Sequence, residues 1–131
     1  MTKIELARER KLSGRWNCAQ AISCTYCDAV GVDESAMNAA GAAFGSGMGC
    51  LEGTCGAIIG AGLIIGARHN ADRAKAMKAM RRIIERFQER NGATICKHLK
   101  GIDSGVTLRQ CPDCVADAAE FLEDELALPN P

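Results

Sequence analysis

The sequence has no surplus of either charge: sixteen Lys and Arg stand against sixteen Asp and Glu, for a formal net charge of zero. That balance gives no bulk electrostatic reason to expect nucleic acid or an anionic membrane as a partner. Long hydrophobic runs are missing too. The longest uncharged stretch, Gly53 to Ala67, falls short of the ~20 residues that cross a bilayer and is flanked by Glu52 and Arg68, so it predicts a buried core helix. The opening segment MTKIELARERKL lacks the apolar core of a secretory signal, which implies no export and a cytoplasmic chain. Strand signals are nearly absent, as are internal repeats, low-complexity tracts and interdomain linkers. Nothing supplies a hydrolytic triad, paired catalytic carboxylates, a phosphate-binding loop with its lysine, or the C-x-x-C-H of covalent haem. A length of 131 residues is that of one domain with one core.

Cysteine is what the sequence has in quantity, eight in all. In a reducing compartment clustered thiols are better explained by metal binding or redox chemistry than by a disulfide framework. Their setting is helical. Ile4 to Lys11 is rich in helix formers and stops near Gly14. Asn17 caps Cys18 to Val30, where Cys18, Ile22, Thr25 and Ala29 share a face and Gly31 closes the segment. Asp33 caps a short helix through Ala43. The stretch GSGMGCLEGT, with four glycines in ten residues, predicts a tight irregular loop. It opens into a helix over Cys55 to Asn70 whose Gly56, Gly60, Gly62 and Gly66 lower helix propensity by about 1 kcal/mol each, which close backbone packing usually offsets. Asp72 caps an amphipathic helix to about Arg90, with Ala76, Met80, Ile83, Ile84 and Phe87 inward. A short helical piece follows from Ala93 to Lys100, and a last helix starts at about Pro112. The fold predicted is a single-domain all-α bundle of five or six helices with a glycine-rich loop.

On that scaffold the thiols differ. At 100° per residue Cys24 lies about 120° from Cys18 and Cys27 about opposite it, so both read as buried fillers away from the Cys18 face. Cys55 stands at a helix start, where the dipole and free N–H groups favour a thiolate. Cys111 repeats that setting before Pro112, and Cys114 makes a C-x-x-C with it, without the βαβ pattern that accompanies thioredoxin-like motifs. His69 and His98 read as surface or helix-end residues, although His98 lies two positions from Cys96.

Four stretches then carry a resemblance: Asn17-Cys18-Ala19-Gln20-Ala21, the run Cys55-Gly56-Ala57-Ile58-Ile59-Gly60, Cys96 followed by Leu99 and Gly101, and Cys111-Pro112 followed by Val115 and Ala118. Together they resemble the redox-active protein family named for four cysteines and a C-G-A-x-x-G motif, over nearly the whole chain. The resemblance maps the family's four cysteines onto Cys18, Cys55, Cys96 and Cys111, with Cys24, Cys27, Cys50 and Cys114 as additions. Four thiols from four helical segments suit a soft metal centre. The four mapped cysteines are scattered along the chain instead of falling into the paired short C-x2-C spacings of structural zinc, which favours an iron–sulfur cluster, [2Fe–2S], with zinc as the alternative. Cys50 is the substitute ligand, and Gly53 and Gly56 are the glycines that let backbone approach the cofactor.

The function expected is therefore electron transfer or redox sensing. One rival is a metal-free thiol–disulfide protein using Cys50/Cys55 or Cys111/Cys114. The other is a non-catalytic helical module in which zinc or packing explains the cysteines. Charge is also segregated: Arg68 to Arg90 is basic and Asp113 to Glu125 acidic. These predict two solvated helix faces lying near each other or, alternatively, a docking patch for a charged redox partner. The partners expected are a redox protein and, in a homodimer, a second copy of the chain, without nucleic acid or membrane insertion.

Overall fold

A computed structural model describes residues 1–129 and contains seven α-helices and no β-strand among them. They are α1 (Lys3–Ser13), α2 (Cys18–Tyr26), α3 (Glu34–Gly41), α4 (Gly56–Arg68), α5 (Arg73–Asn91), α6 (Cys96–Lys100) and α7 (Cys111–Ala127). The all-α bundle is as expected, with a higher helix count because the short α3 and α6 both form. Side chains set the starts. Thr2 and Asn17 make reciprocal capping boxes with Glu5 and Gln20, while Asp33 and Asp72 accept the N–H groups of Ala36 and Lys75.

Helix α2 is the centre of the bundle, buried along nearly its whole length, with α1, α3, α4 and α7 packed around it. The sequence predicts one helix from Cys18 to Val30, but the α-helix ends at Tyr26 and a 3-10 turn covers Cys27–Val30. The Thr25 hydroxyl donates to the Ala21 carbonyl at 2.7 Å, the back-bonding that bends helices, just before the change of pitch. As a result Ala29 is exposed instead of continuing the Cys18 face, and Cys27 is buried with its Sγ 3.4 Å from the Cys24 carbonyl.

Close packing of α4 on α2 is made possible by glycine. A Cβ at Gly60 would lie 2.5 Å from the Ala19 carbonyl oxygen and 2.9 Å from Ile22 Cβ. One at Gly56 would lie 2.6 Å from the Phe44 carbonyl oxygen and 3.1 Å from Cys18 Cβ. Gly66, on the same helix, faces open space.

Helix α5 buries Ala79, Ile83 and Phe87, a narrower stripe than its pattern suggested, and Ile84 lies outside it. Its basic face meets the acidic face of α7. Arg82 makes a bidentate pair with Glu125 at 2.9 and 2.6 Å, Arg86 meets Asp124 at 2.7 Å, and Arg90 reaches Glu120 at 2.6 Å and Asp117 at 3.1 Å. Three basic side chains of α5 thus pair with four carboxylates of α7, while Arg73, Lys78 and Arg81 make no ion pair among the described residues. No helix among the described residues is long and apolar enough to cross a membrane.

Candidate functional site

The N-terminal ends of α2, α4, α6 and α7 meet at one end of the bundle, and each begins at or beside a cysteine. Cys18 opens α2, Cys55 immediately precedes α4, Cys96 opens α6 and Cys111 opens α7. Cys18, Cys55, Cys96, Cys111 and Cys114 wall a small cavity of about 20 Å³, room for about one water. Gly56 and Leu99 complete its apolar lining, and Lys11, Lys100, Arg109 and Ser46 surround it.

Cys55 and Cys96 are held together by a feature that periodicity did not show. The sequence predicts helix from Ala93, yet the chain before Cys96 is extended and Ile95 forms an isolated antiparallel bridge with Thr54. The Cys55 N–H donates to the Thr94 carbonyl at 2.8 Å, and the Cys96 N–H to the Gly53 carbonyl at 3.0 Å. β-Branched Thr94 and Ile95 favour that extended backbone. Gly53 therefore anchors Cys96 through its carbonyl and does not itself line the cavity, whereas Gly56 does.

The thiols interact in pairs. Cys18 donates its S–H to the Cys111 sulfur, which holds Cys111 as a thiolate and pulls its pKa down to about 6. The charges of Lys100 and Lys11 act in the same direction, and burial opposes them. Cys18 is correspondingly pushed up by that bond and by burial. A hydrogen bond from Cys114 lowers Cys55 against burial, and the Ala57 and Ile58 N–H groups at the start of α4 act in the same direction, the Ile58 N–H itself donating to the Cys55 carbonyl at 3.0 Å. Cys114 is itself raised by the same bond and by burial. Burial raises Cys96. Among the described residues no three Cys, His, Asp or Glu side chains are grouped around a single point as ligands of one ion.

The structure therefore brings together all four cysteines that the resemblance mapped and adds Cys114 to them. That fifth thiol had a signal in the sequence: it stands three residues after Cys111, one turn along the same helix. Cys50 lies apart, exposed on the glycine loop with its Sγ 3.6 Å from the Gly47 carbonyl. Cys24 faces α3, with its Sγ 3.9 Å from the Glu34 carbonyl and 3.7 Å from Asn38 Oδ1. His98 is engaged by Asp103 at 2.5 Å, and His69 ends α4. Neither His98 nor His69 lines the cavity.

A pH dependence follows from the Cys18–Cys111 pair. Only the thiolate is nucleophilic, so alkylation of half-buried Cys111 in the reduced, metal-free protein should rise with pH through a midpoint near 6, below an ordinary thiol. Mass-spectrometric mapping of iodoacetamide-treated protein across pH checks this. Removing the donor with Cys18→Ala should move the midpoint upward.

No curated protein and no solved structure matches the chain. A family model does match it over residues 16–125, a span that holds every cysteine of the cavity. Its description writes the central motif G-C-A-x-x-G where this chain reads Cys55-Gly56-Ala57-Ile58-Ile59-Gly60, with the cysteine and glycine exchanged. With most of its length matched, the chain belongs to the family described as "Putative redox-active protein (C_GCAxxG_C_C)".

Proposed function

We propose that the protein is an electron-transfer or redox-sensing protein that holds a [2Fe–2S] cluster in the thiol cavity through Cys18, Cys55, Cys96 and Cys111. The observation that carries this reading is the meeting of five thiols on one cavity with no carboxylate or imidazole among its lining residues. Thiolates are the donors that iron–sulfur centres take, so the donor set fits. Lys11, Lys100 and Arg109 offset the negative charge that four thiolates would bring to a partly buried site. The Ala57 and Ile58 N–H groups at the start of α4, which favour the Cys55 thiolate, are of the kind that tunes a cluster's potential. The space between the thiols is that of about one water, so holding a cluster would require the thiol-bearing helix ends to move apart and the ligand thiols to give up their protons. When bound, the cluster supplies one-electron transfer. The chain's own part is to supply thiolates, exclude bulk water and fix the surrounding positive charge. Cys114 stands at the cavity as reserve ligand in the place first assigned to Cys50.

Anaerobic purification followed by absorption spectroscopy and iron, sulfide and zinc analysis tests the reading. About two irons and two sulfides per chain are expected for this cluster type; zinc without sulfide would overturn it. The double substitution Cys24→Ser/Cys27→Ser should leave iron and sulfide unchanged, because neither thiol reaches the cavity. A drop in either would mean that the ligand set is wrong.

The pairing of the thiols favours a second reading. A metal-free protein could cycle between dithiol and disulfide, and the partners on this geometry are Cys18/Cys111 and Cys55/Cys114, not the Cys50/Cys55 or Cys111/Cys114 pairs suggested by spacing. Metal-free protein that loses these two pairs of free thiols on mild oxidation would favour it.

A further inference from the structure

We infer that the mouth of the thiol cavity is the docking face for an acidic redox protein, an inference that rests on the redox reading of that cavity. The first observation is charge. Elsewhere several basic side chains are matched, Arg82, Arg86 and Arg90 by α7, Lys3 by Asp28 and Arg8 by Asp113, while Arg15 and, on α5, Arg73, Lys78 and Arg81 have no carboxylate partner among the described residues. Near the mouth, Glu52 and Asp103 are already taken up by Lys97 and His98, and Arg109 by Asp117. Lys11 and Lys100, both lining the cavity, have no carboxylate partner among the described residues. The mouth is thus the place where uncompensated positive charge lies beside the thiols, and it is where electrons would have to cross.

The second observation is apolar. Nine large hydrophobic side chains are exposed among the described residues, and five of them, Leu12, Met48, Ile102, Val106 and Leu108, belong to segments that also supply mouth residues. Leu12 follows Lys11, and Met48 is two positions after Ser46. Ile102, Val106 and Leu108 sit on the connector between Lys100 and Arg109, where Ile102 is 63 % and Val106 61 % exposed. That connector is tied to the site by the Leu108 N–H, which donates to the Leu99 carbonyl at 2.9 Å. Small apolar patches with lysines beside them suit weak, transient encounters, in which charge steers the approach and apolar contact fixes the pose. Cys111, the only cavity thiol that is not fully buried, gives such a partner the shortest way in.

The basic face of α5, the surface that composition pointed to, keeps Arg73, Lys78 and Arg81 without a carboxylate partner among the described residues, but it carries no cavity thiol and so gives an electron no entry to the site. A negatively charged partner should therefore select the mouth.

The test uses two probe proteins, an acidic plant-type ferredoxin and basic cytochrome c, each mixed with the purified full chain and treated with a water-soluble carbodiimide. This reagent joins lysine amines to carboxylates only where the proteins touch. The expected result is coupling of the ferredoxin to Lys11 and Lys100, suppression at high salt, and no product with cytochrome c. Lys11→Glu/Lys100→Glu should reduce the coupling rate about tenfold at low salt, and Ile102→Ser/Val106→Ser should reduce it with the salt dependence retained. Circular dichroism confirms that each variant is folded. Coupling at Lys75 or Lys78 of α5, indifference to salt and charge reversal, or a self-linked dimer through the mouth would each overturn the inference. Because the reagent reports contact whether or not iron is present, a failed docking face is distinguishable from a missing cluster.

Discussion

Cys55→Ser should abolish retention of iron and sulfide, while Cys50→Ser should leave both near the wild-type level. The two thiols are five residues apart in one glycine-rich stretch, but the fold separates their roles. Cys55 is buried immediately before α4, with its backbone N–H fixed to the Thr94 carbonyl and its thiol held low by the helix start and the Cys114 thiol. A serine hydroxyl in that place stays protonated and is a hard, weak donor, so it neither replaces a soft ligand nor holds charge for the helix dipole. Cys50 is exposed and has only the Gly47 carbonyl near its sulfur. Iron and acid-labile sulfide per chain, measured on both variants purified without oxygen, separate the cases. Full iron and sulfide in Cys55→Ser would remove the cluster assignment at its centre.

The largest expected effect on stability comes from a single methyl group. Gly60→Ala should destabilise the fold by about 3 kcal/mol, because the new Cβ would stand 2.5 Å from the Ala19 carbonyl oxygen and 3.0 Å from Ala19 Cα, atoms of a buried backbone that cannot swing aside. The gain in helix propensity, about 1 kcal/mol, is too small to reverse the sign. Gly66→Ala is the matched control. It lies on the same helix with nothing within 4 Å of its would-be Cβ, so propensity acts alone and the variant should gain about 1 kcal/mol. Urea unfolding of the two variants beside the parent gives the comparison. Equal shifts would show that α4 does not pack on α2 through Gly60.

Much of the scaffold was legible because helices announce themselves locally. The cap residues Asn17, Asp33 and Asp72 and the stop at Gly14 each act within a few positions of where they stand, whereas the Thr2 cap went unread. The glycines of α4 were legible in kind, as a sign of close approach, but only the structure separates Gly60, which is crowded, from Gly66, which is not. The site was readable in part for the opposite reason. Membership of the cavity depends on contacts between distant segments, so helix-start chemistry singled out Cys55 and Cys111 while the Thr54–Ile95 bridge that aligns Cys96 with Cys55 had no periodic signature. Cys114 was passed over because a C-x-x-C suggests that its two cysteines pair with each other. On α7 the two sulfurs instead meet partners on other segments, Cys18 and Cys55. The pitch change after Tyr26, which follows the Thr25 back-bond to Ala21, exposes Ala29 but leaves Cys27 buried and away from the cavity, as the helical wheel placed it.

The wide spacing of the cavity cysteines along the chain has a consequence during synthesis. The first, Cys18, leaves the ribosome long before Cys111 and Cys114, and at typical translation rates the delay is roughly ten seconds. Throughout that interval the early thiols have neither their hydrogen-bond partners nor the last wall of their cavity. A nascent chain therefore cannot close the five-thiol cavity until α7 has emerged and docked. The same order makes the early cysteines most vulnerable to oxidation while the chain is still being made, so the amount of functional protein recovered from a cell should depend on the thiol environment at the ribosome as much as on the stability of the folded product.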